Sequence, residues 1–166
     1  KMSQVVVGKV IEITEHPFGK GALTSDGVQY SAEQTSTTNT YKTVETATID
    51  QIGVTGGPGG RGTLIEVECG ITWGQKCDGA TDKAIGLIQA EDKDNGTWVD
   101  LMDAQTNATA GTAYEYWTYS GRFKPATTFT KVPFDVRVQV KSSGTANNAV
   151  GKVKNSSYVT AIYKID

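Results

Sequence analysis

The sequence predicts an all-β protein, an antiparallel β-sandwich of the jelly-roll type. Three observations lead there. Two long segments alternate apolar and polar side chains with a period of two. Gly and Thr are abundant, while Leu and Glu, which favour helices, are comparatively scarce. Small polar and glycine-rich stretches separate the apolar runs, and no segment carries a convincing amphipathic helical pattern.

Taken in chain order, Val5 to Ile13 is rich in β-branched residues and reads as a strand. His16 to Gly27 is turn-rich. Ser31 to Thr40 is built from Ser, Thr, Asn and Gln, nearly without apolar side chains, and reads as a mobile loop or linker. Tyr41 to Ile52 places Val44 and Ile49 among threonines, with a phase change that marks a bulge. From Ile65 the chain alternates: Ile65, Val67, Cys69, Ile71 and Trp73 on one face, Glu66, Glu68, Gly70 and Thr72 on the other. A helix would scatter these residues, whereas a half-buried strand sorts them inward and outward.

Lys83 to Ala90 and Thr97 to Met102 flank Asp94-Asn95-Gly96, and Asn-Gly between apolar runs signals a tight hairpin turn. Trp98, just after that turn, is expected in the core. Residues 104 to 112 have room for one loose turn. Ala113 to Phe123 is an aromatic-rich strand, and Phe134 to Lys141 sets Phe134, Val136, Val138 and Val140 against Asp135, Arg137, Gln139 and Lys141. Val150 to Val153 and Tyr158 to Ile165 are the last strands. Gly56-Gly57-Pro58-Gly59-Gly60 cannot sit inside a strand and reads as a loop.

This layout divides the chain into residues 1–40, an N-terminal arm with a Ser/Thr-rich linker, and residues 41–166, the sandwich with about eight strands. The arm is expected either to add an edge strand to its own sheet or to pack on a neighbouring subunit, through side chains such as Val5, Val7 and Ile11. The first residue is Lys1, so an upstream segment is expected to have been removed or left out, and no signal peptide is visible.

At 166 residues the chain suffices for one domain with a real core, a chain of this size burying roughly 70% of its unfolded surface. The formal net charge is -2, without a basic stripe, which argues against nucleic acid as a partner. The apolar runs are too short to span a bilayer as helices, which argues against a membrane. The missing helices exclude parallel βαβ units. Eight antiparallel strands in two sheets suit a jelly roll, with an immunoglobulin-like sandwich or a closed barrel as alternatives.

The segments Pro133–Ser143 and Val153–Ile162, together with Gly62–Val67 and Thr97–Leu101, resemble the jelly-roll modules of virion proteins from tailed phages and other viruses: head fibres, decoration proteins and tail-fibre domains. The resemblance spans roughly residues 41 to 165. It implies a capsid, decoration or fibre role, a virion location, a homo-oligomer and a larger capsid or fibre protein as partner. It transfers no catalytic residues.

The search for chemistry points the same way. His16 is the only histidine and lies in a turn-like context. No Gly-x-Ser-x-Gly elbow is present. Glu66 and Glu68 share a strand face about 7 Å apart, a separation some glycosidases use, but any solvated strand face gives the same spacing. Asp92, Asp94 and Asn95 are explained by turn chemistry, and their pattern fails the EF-hand loop. The Gly56–Gly62 stretch is followed by a strand, so it is no phosphate loop. Cys69 falls in a strand and Cys77 in the loop after it. They read as a buried small hydrophobe and a loop thiol, or as a short-loop disulfide, and with His16 they are too few for a metal site. Three sequons, at Asn95, Asn107 and Asn155, carry little weight. The chain is therefore expected to be no enzyme, with no cofactor and no metal.

The aromatic strand is different. Alternation sends Tyr114 and Tyr116 to one face and Trp117 and Tyr119 to the other. Both faces cannot be core, so one pair is expected to meet solvent or another chain. Aromatics with a polar tip suit subunit interfaces, and aromatic platforms also stack on sugars. The sequence thus predicts a virion structural subunit, with an extracellular carbohydrate-binding or adhesin module as the alternative.

Overall fold

The computed structural model describes residues 10–15, 28–49, 62–92, 96–123 and 134–165. They form eleven strands: β1 (Val10–Glu15), β2 (Gln34–Thr35), β3 (Lys42–Ile49), β4 (Gly62–Cys77), β5 (Ala84–Asp92), β6 (Thr97–Asp100), β7 (Gln105–Thr106), β8 (Glu115–Phe123), β9 (Phe134–Ser142), β10 (Ala149–Val153) and β11 (Tyr158–Ile165). All the pairings are antiparallel, and the described residues hold no helix.

The 16-residue β4 organises the first sheet. One side of it pairs with β8 from Val67 to Gln75. Its other side is shared, Gly62–Gly70 with β11 and Trp73–Cys77 with β10. β10 and β11 are thus one strand position with a break at residues 154–157. Ser157 fills the break: its hydroxyl accepts from the Thr72 amide at 3.0 Å and reaches the Thr72 carbonyl at 3.3 Å. β1 pairs with β11 and β2 with β10, so these two short strands share the next position. The second sheet runs β3-β9-β5-β6, with β7 also paired to β5.

Grouping β1 with β2, β6 with β7 and β10 with β11 leaves eight positions. Numbered along the chain, the sheets read 1-8-3-6 and 2-7-4-5. Consecutive positions cross between the sheets except at the β5–β6 hairpin. This interleaving is the jelly-roll order, two Greek keys folded into a sandwich.

The core follows from alternation. Val67, Cys69, Ile71 and Trp73 from β4 are fully buried, as are Val136, Val138 and Val140 from β9 and Ala84, Ile88 and Ala90 from β5. Burying each Val or Ile contributes roughly 1.5–3 kcal/mol. In β3, both Val44 and Ala47 are buried although three residues apart, a spacing that a regular strand would send to opposite faces. A register shift between Thr43 and Glu45 supplies the extra residue, at the phase change seen in the sequence. The sheets approach closely at Gly151 on β10. A Cβ there would stand 2.7 Å from Val44 Cγ2 and 2.9 Å from Val140 Cγ1 across the interface.

A buried polar seam also joins the sheets. Trp73 Nε1 donates to Gln75 Oε1 at 2.8 Å. The Gln75 amide donates to the Gln105 carbonyl and to Asn107 Oδ1, each at 2.8 Å, and more weakly to the Ala84 carbonyl at 3.2 Å. Asn107 Nδ2 returns a bond to the Gln75 carbonyl at 3.0 Å. Gln75 has no exposed surface, so each of these bonds answers a desolvated group.

Several expectations change. The polar stretch Ser31–Thr40 is strapped to β10 rather than loose. The amides of Ser31 and Ser36 donate to the carbonyls of Val153 and Ala149, and their hydroxyls accept from the amides of the same two residues. Its hydroxyls face backbone groups, which a composition count does not reveal. Of the two places open to the N-terminal segment, residues 10–15 take the edge of their own sheet. Cys77 ends β4 and is buried, not in a loop. Residues 105 and 106 pair with β5 instead of forming a loose turn. The β5–β6 connection is longer than a two-residue turn, because pairing stops at Asp92 and Thr97, and Gly96 takes the left-handed φ of 62°. Trp98 is not core. It pairs opposite Glu91 on the outer face, where the Arg137 guanidinium lies 3.6 Å from its ring centroid. The Gly56–Gly60 loop, His16, Asp94 and Asn95 lie outside the described residues.

Candidate functional site

The register of β8 on β4 decides where each aromatic goes. Trp117 pairs with Trp73 and Tyr119 with Ile71, so both follow those residues to the inner face. There they pack against the core with Leu101 and Met102. Burial pushes the Tyr119 phenol above its ordinary pKa. Tyr116 pairs with Gly74 and faces outward. The division of the four aromatics into two faces is the one alternation predicts.

The outer pair gathers a cluster. Gly74 has no side chain, and the two tyrosines fill the space above it. A Cβ there would meet Tyr116 Cε1 at 2.7 Å and Tyr114 Cδ1 at 3.2 Å. Tyr114 and Tyr116 stack with ring centroids 6.0 Å apart at 30°, and Tyr30 joins Tyr116 at 5.7 Å. Lys152 pairs with Gly74 from the β10 side, which brings its ammonium among the rings. Its Nζ lies 4.2 Å from the Tyr114 centroid, 4.5 Å from Tyr30 and 5.7 Å from Tyr116. Lys76 Nζ sits 4.5 Å from the Tyr114 centroid. Each such contact contributes about 0.5–1 kcal/mol at an exposed site.

Glu33 completes the cluster, its Oε1 accepting from the Tyr114 hydroxyl at 2.6 Å. Burial, and then this hydrogen bond to a carboxylate, hold the Tyr114 phenol far above its ordinary pKa. Tyr116 remains 50% exposed. The result is a platform of aromatic faces with the Lys152 ammonium among them, the Lys76 ammonium over Tyr114 and one carboxylate at its margin. It can make broad amphipathic contacts, but it pairs no nucleophile with a base.

The other candidate groups are tied into the fold. Arg122 Nε and Nη2 donate to Glu68 Oε2 at 3.0 and 2.8 Å, and the Tyr158 hydroxyl donates to Glu68 Oε1 at 3.1 Å. Cys69 and Cys77 are free thiols on one strand. Eight residues of strand hold their Cα atoms about 26 Å apart, far beyond disulfide reach. Burial, and then the Glu68 charge, push the Cys69 thiol up to about 12, so it holds its proton at neutral pH and is no nucleophile. Among the described residues no group of His, Cys, Asp and Glu could hold a metal ion.

No family model matches the chain, and no curated protein matches it. Solved structures of infectious bursal disease virus are similar to it. The Gx strain structure aligns with a TM-score of 0.46 at 9% identity, covering 96% of this chain and 37% of that one. The virus-derived T=1 particle aligns at 0.44 and 10% identity, covering 95% and 36%. The VP2 subviral particle aligns at 0.44 and 10%, covering 96% and 38%. The chain spans little more than a third of the length of those chains.

Of the residues singled out from sequence, Tyr114 and Tyr116 meet in one cluster, while Trp117 and Tyr119 lie on the opposite face of the sheet. Ile11 lies in β1, where the backbone register sets it opposite Tyr163. Val5 and Val7 fall outside the described residues. Sequence reasoning missed Tyr30, Glu33, Lys76 and Lys152. Only the cross-strand register brings Tyr30, Glu33 and Lys152 to Gly74, and a single sequence does not carry that register, whereas Lys76 stands two residues along β4 on the same face. Gly74, interrupting an alternating strand, is the one signal that could have pointed to a filled space above it.

Proposed function

We propose that the chain is a non-enzymatic virion structural protein, a capsid, decoration or fibre subunit, that assembles with copies of itself and with a larger shell or fibre protein. The observation that carries this reading is the tyrosine cluster on the outside of a sandwich whose core is already filled. Large aromatic side chains left on an outer sheet face suit a contact surface. The jelly-roll strand order agrees with the virion modules that the sequence resembles. In this reading residues 1–40 form an arm that joins its own sheet, the sandwich of residues 41–166, through β1 and β2, and Val5, Val7 and Ile11 add contacts with a neighbouring copy from that edge.

Sedimentation velocity over a range of concentrations tests it. The full chain is expected to form an oligomer of fixed size, weakened by Tyr116→Ala. A chain that stays monomeric at every concentration, with or without the arm, would overturn the reading.

The half-exposed, stacked Tyr116 also favours a second reading, an extracellular carbohydrate-binding or adhesin module. That reading requires saturable glycan binding that Tyr116→Ala abolishes, and a blank on a broad glycan array would dispose of it.

A further inference from the structure

Sheet edges are where strands add, and folds ordinarily blunt them with short strands or bulges. Among the described residues, three of the four edges are blunted. The first sheet ends at one side in β1, six residues long, and β2, two. The second ends in β3, which carries a register shift, and in β6 and β7, four and two residues long. The fourth edge is β8. It has nine residues, no proline and an unbroken register against β4 from Val67 to Gln75. It also holds Trp117, whose indole nitrogen is a buried donor with no acceptor among the described residues.

We infer that β8 pairs antiparallel with β8 of a second copy of this chain, joining the two six-stranded sheets into one across a two-fold axis beside Tyr119. The inference rests on the self-assembly proposed above and names the surface that performs it. Strand addition supplies main-chain hydrogen bonds, and the side chains set the register.

The sequence of β8 fits itself. Inner face meets inner face only when the paired residue numbers sum to an even total, and full overlap sets Tyr119 against Tyr119. That register places Trp117 opposite Gly121, where the Tyr119 ring already lies over the glycine, so the incoming indole meets that ring. It places Thr118 opposite Ser120, a hydroxyl pair. It also places the half-exposed Tyr116 opposite Arg122, whose side chain is 63% exposed, an aromatic face against a guanidinium. A two-fold axis repeats each pair, as an isologous interface requires.

The test is directed disulfide formation in the full chain. Thr118→Cys combined with Ser120→Cys is expected to give a covalent dimer under mild oxidation, while Thr118→Cys with Arg122→Cys, out of register, gives little. The native cysteines are buried and stay silent. Arg122→Glu, at an exposed position, is expected to weaken dimerisation at least tenfold by sedimentation and covers the case in which the cysteine variants fold poorly. A chain that self-associates without the in-register crosslink and without sensitivity to Arg122→Glu overturns the β8 pairing while leaving self-assembly standing. A chain that never self-associates overturns both.

Discussion

The indole nitrogen of Trp73 donates to Gln75 Oε1 at 2.8 Å, two residues along the same inward face of β4. Through Gln75, the buried tryptophan is connected to Gln105 and Asn107 beside the second sheet. A glutamine in a strand core is costly to bury unless its amide is fully engaged. Here it is engaged on every side. It therefore fixes how the two sheets register, as well as filling volume.

Replacing it tests that role. Gln75→Leu keeps the bulk but leaves the Trp73 N–H and Asn107 Oδ1 without their partner. Stranded buried groups cost about 1–3 kcal/mol each, so a loss of roughly 3 kcal/mol is expected in urea unfolding. A variant as stable as the parent would mean the seam is incidental.

Gly86 faces the same seam, and a Cβ there would run into Gln75 Oε1 and come within 2.5 Å of Trp73 Nε1. Gly86→Ala is expected to cost at least about 2 kcal/mol. Gly151→Ala, which presses on Val44 and Val140 across the interface, is expected to cost about 1–3 kcal/mol. Thermal unfolding of both variants beside Gly144→Ala checks the order. At Gly144 a Cβ meets the Asp82 carboxylate, which accepts from the Ala146 and Asn147 amides. The site lies in the turn between β9 and β10 and not between the sheets, so its substitution is expected to be the mildest of the three.

Much of the fold is legible in the sequence for a plain reason. The β4 and β9 patterns bury one face each, and a period-two pattern has only one way to do that. Even the β3 bulge shows, as the phase change that Val44 and Ile49 make among the threonines. What is hidden depends on partners far along the chain. Ser31 and Ser36 look like linker residues until β10 supplies their backbone partners. Trp98 looks like core until Arg137, almost forty residues on, covers it on the outer face. The aromatic platform is half legible. Tyr114 and Tyr116 separate from Trp117 and Tyr119 by parity alone, but Tyr30, Lys152 and Glu33 reach them only through strand pairing.

The two thiols give a pH prediction. The Cys69 thiol ordinarily titrates near 9 and is pushed to about 12 in the fold. The folded state therefore holds this proton more tightly than the unfolded chain does. The contribution is fully present below pH 9 and is lost as pH rises from about 9 towards 12, by roughly 1 kcal/mol per pH unit. Cys69→Ala should flatten that decline in alkaline unfolding curves. Both thiols should also resist a thiol reagent until the chain unfolds.

The tyrosine platform separates stability from contact. Tyr114→Phe removes the bond to Glu33 and should cost about 1 kcal/mol. Tyr116→Ala, at a half-exposed position, should change stability by less than about 1 kcal/mol yet weaken association strongly. Paired unfolding and sedimentation data for the two variants distinguish a surface built for a partner from one that only covers Gly74.

Hydrogen–deuterium exchange of the full chain, at a dilute and a concentrated setting, tests most directly whether the six-stranded sheet is an assembly surface. Slower exchange confined to residues 114–123 and their outer-face neighbours at high concentration is the expected result. Association that protects only the β3-β9-β5-β6 sheet, or exchange that does not depend on concentration at all, would contradict it.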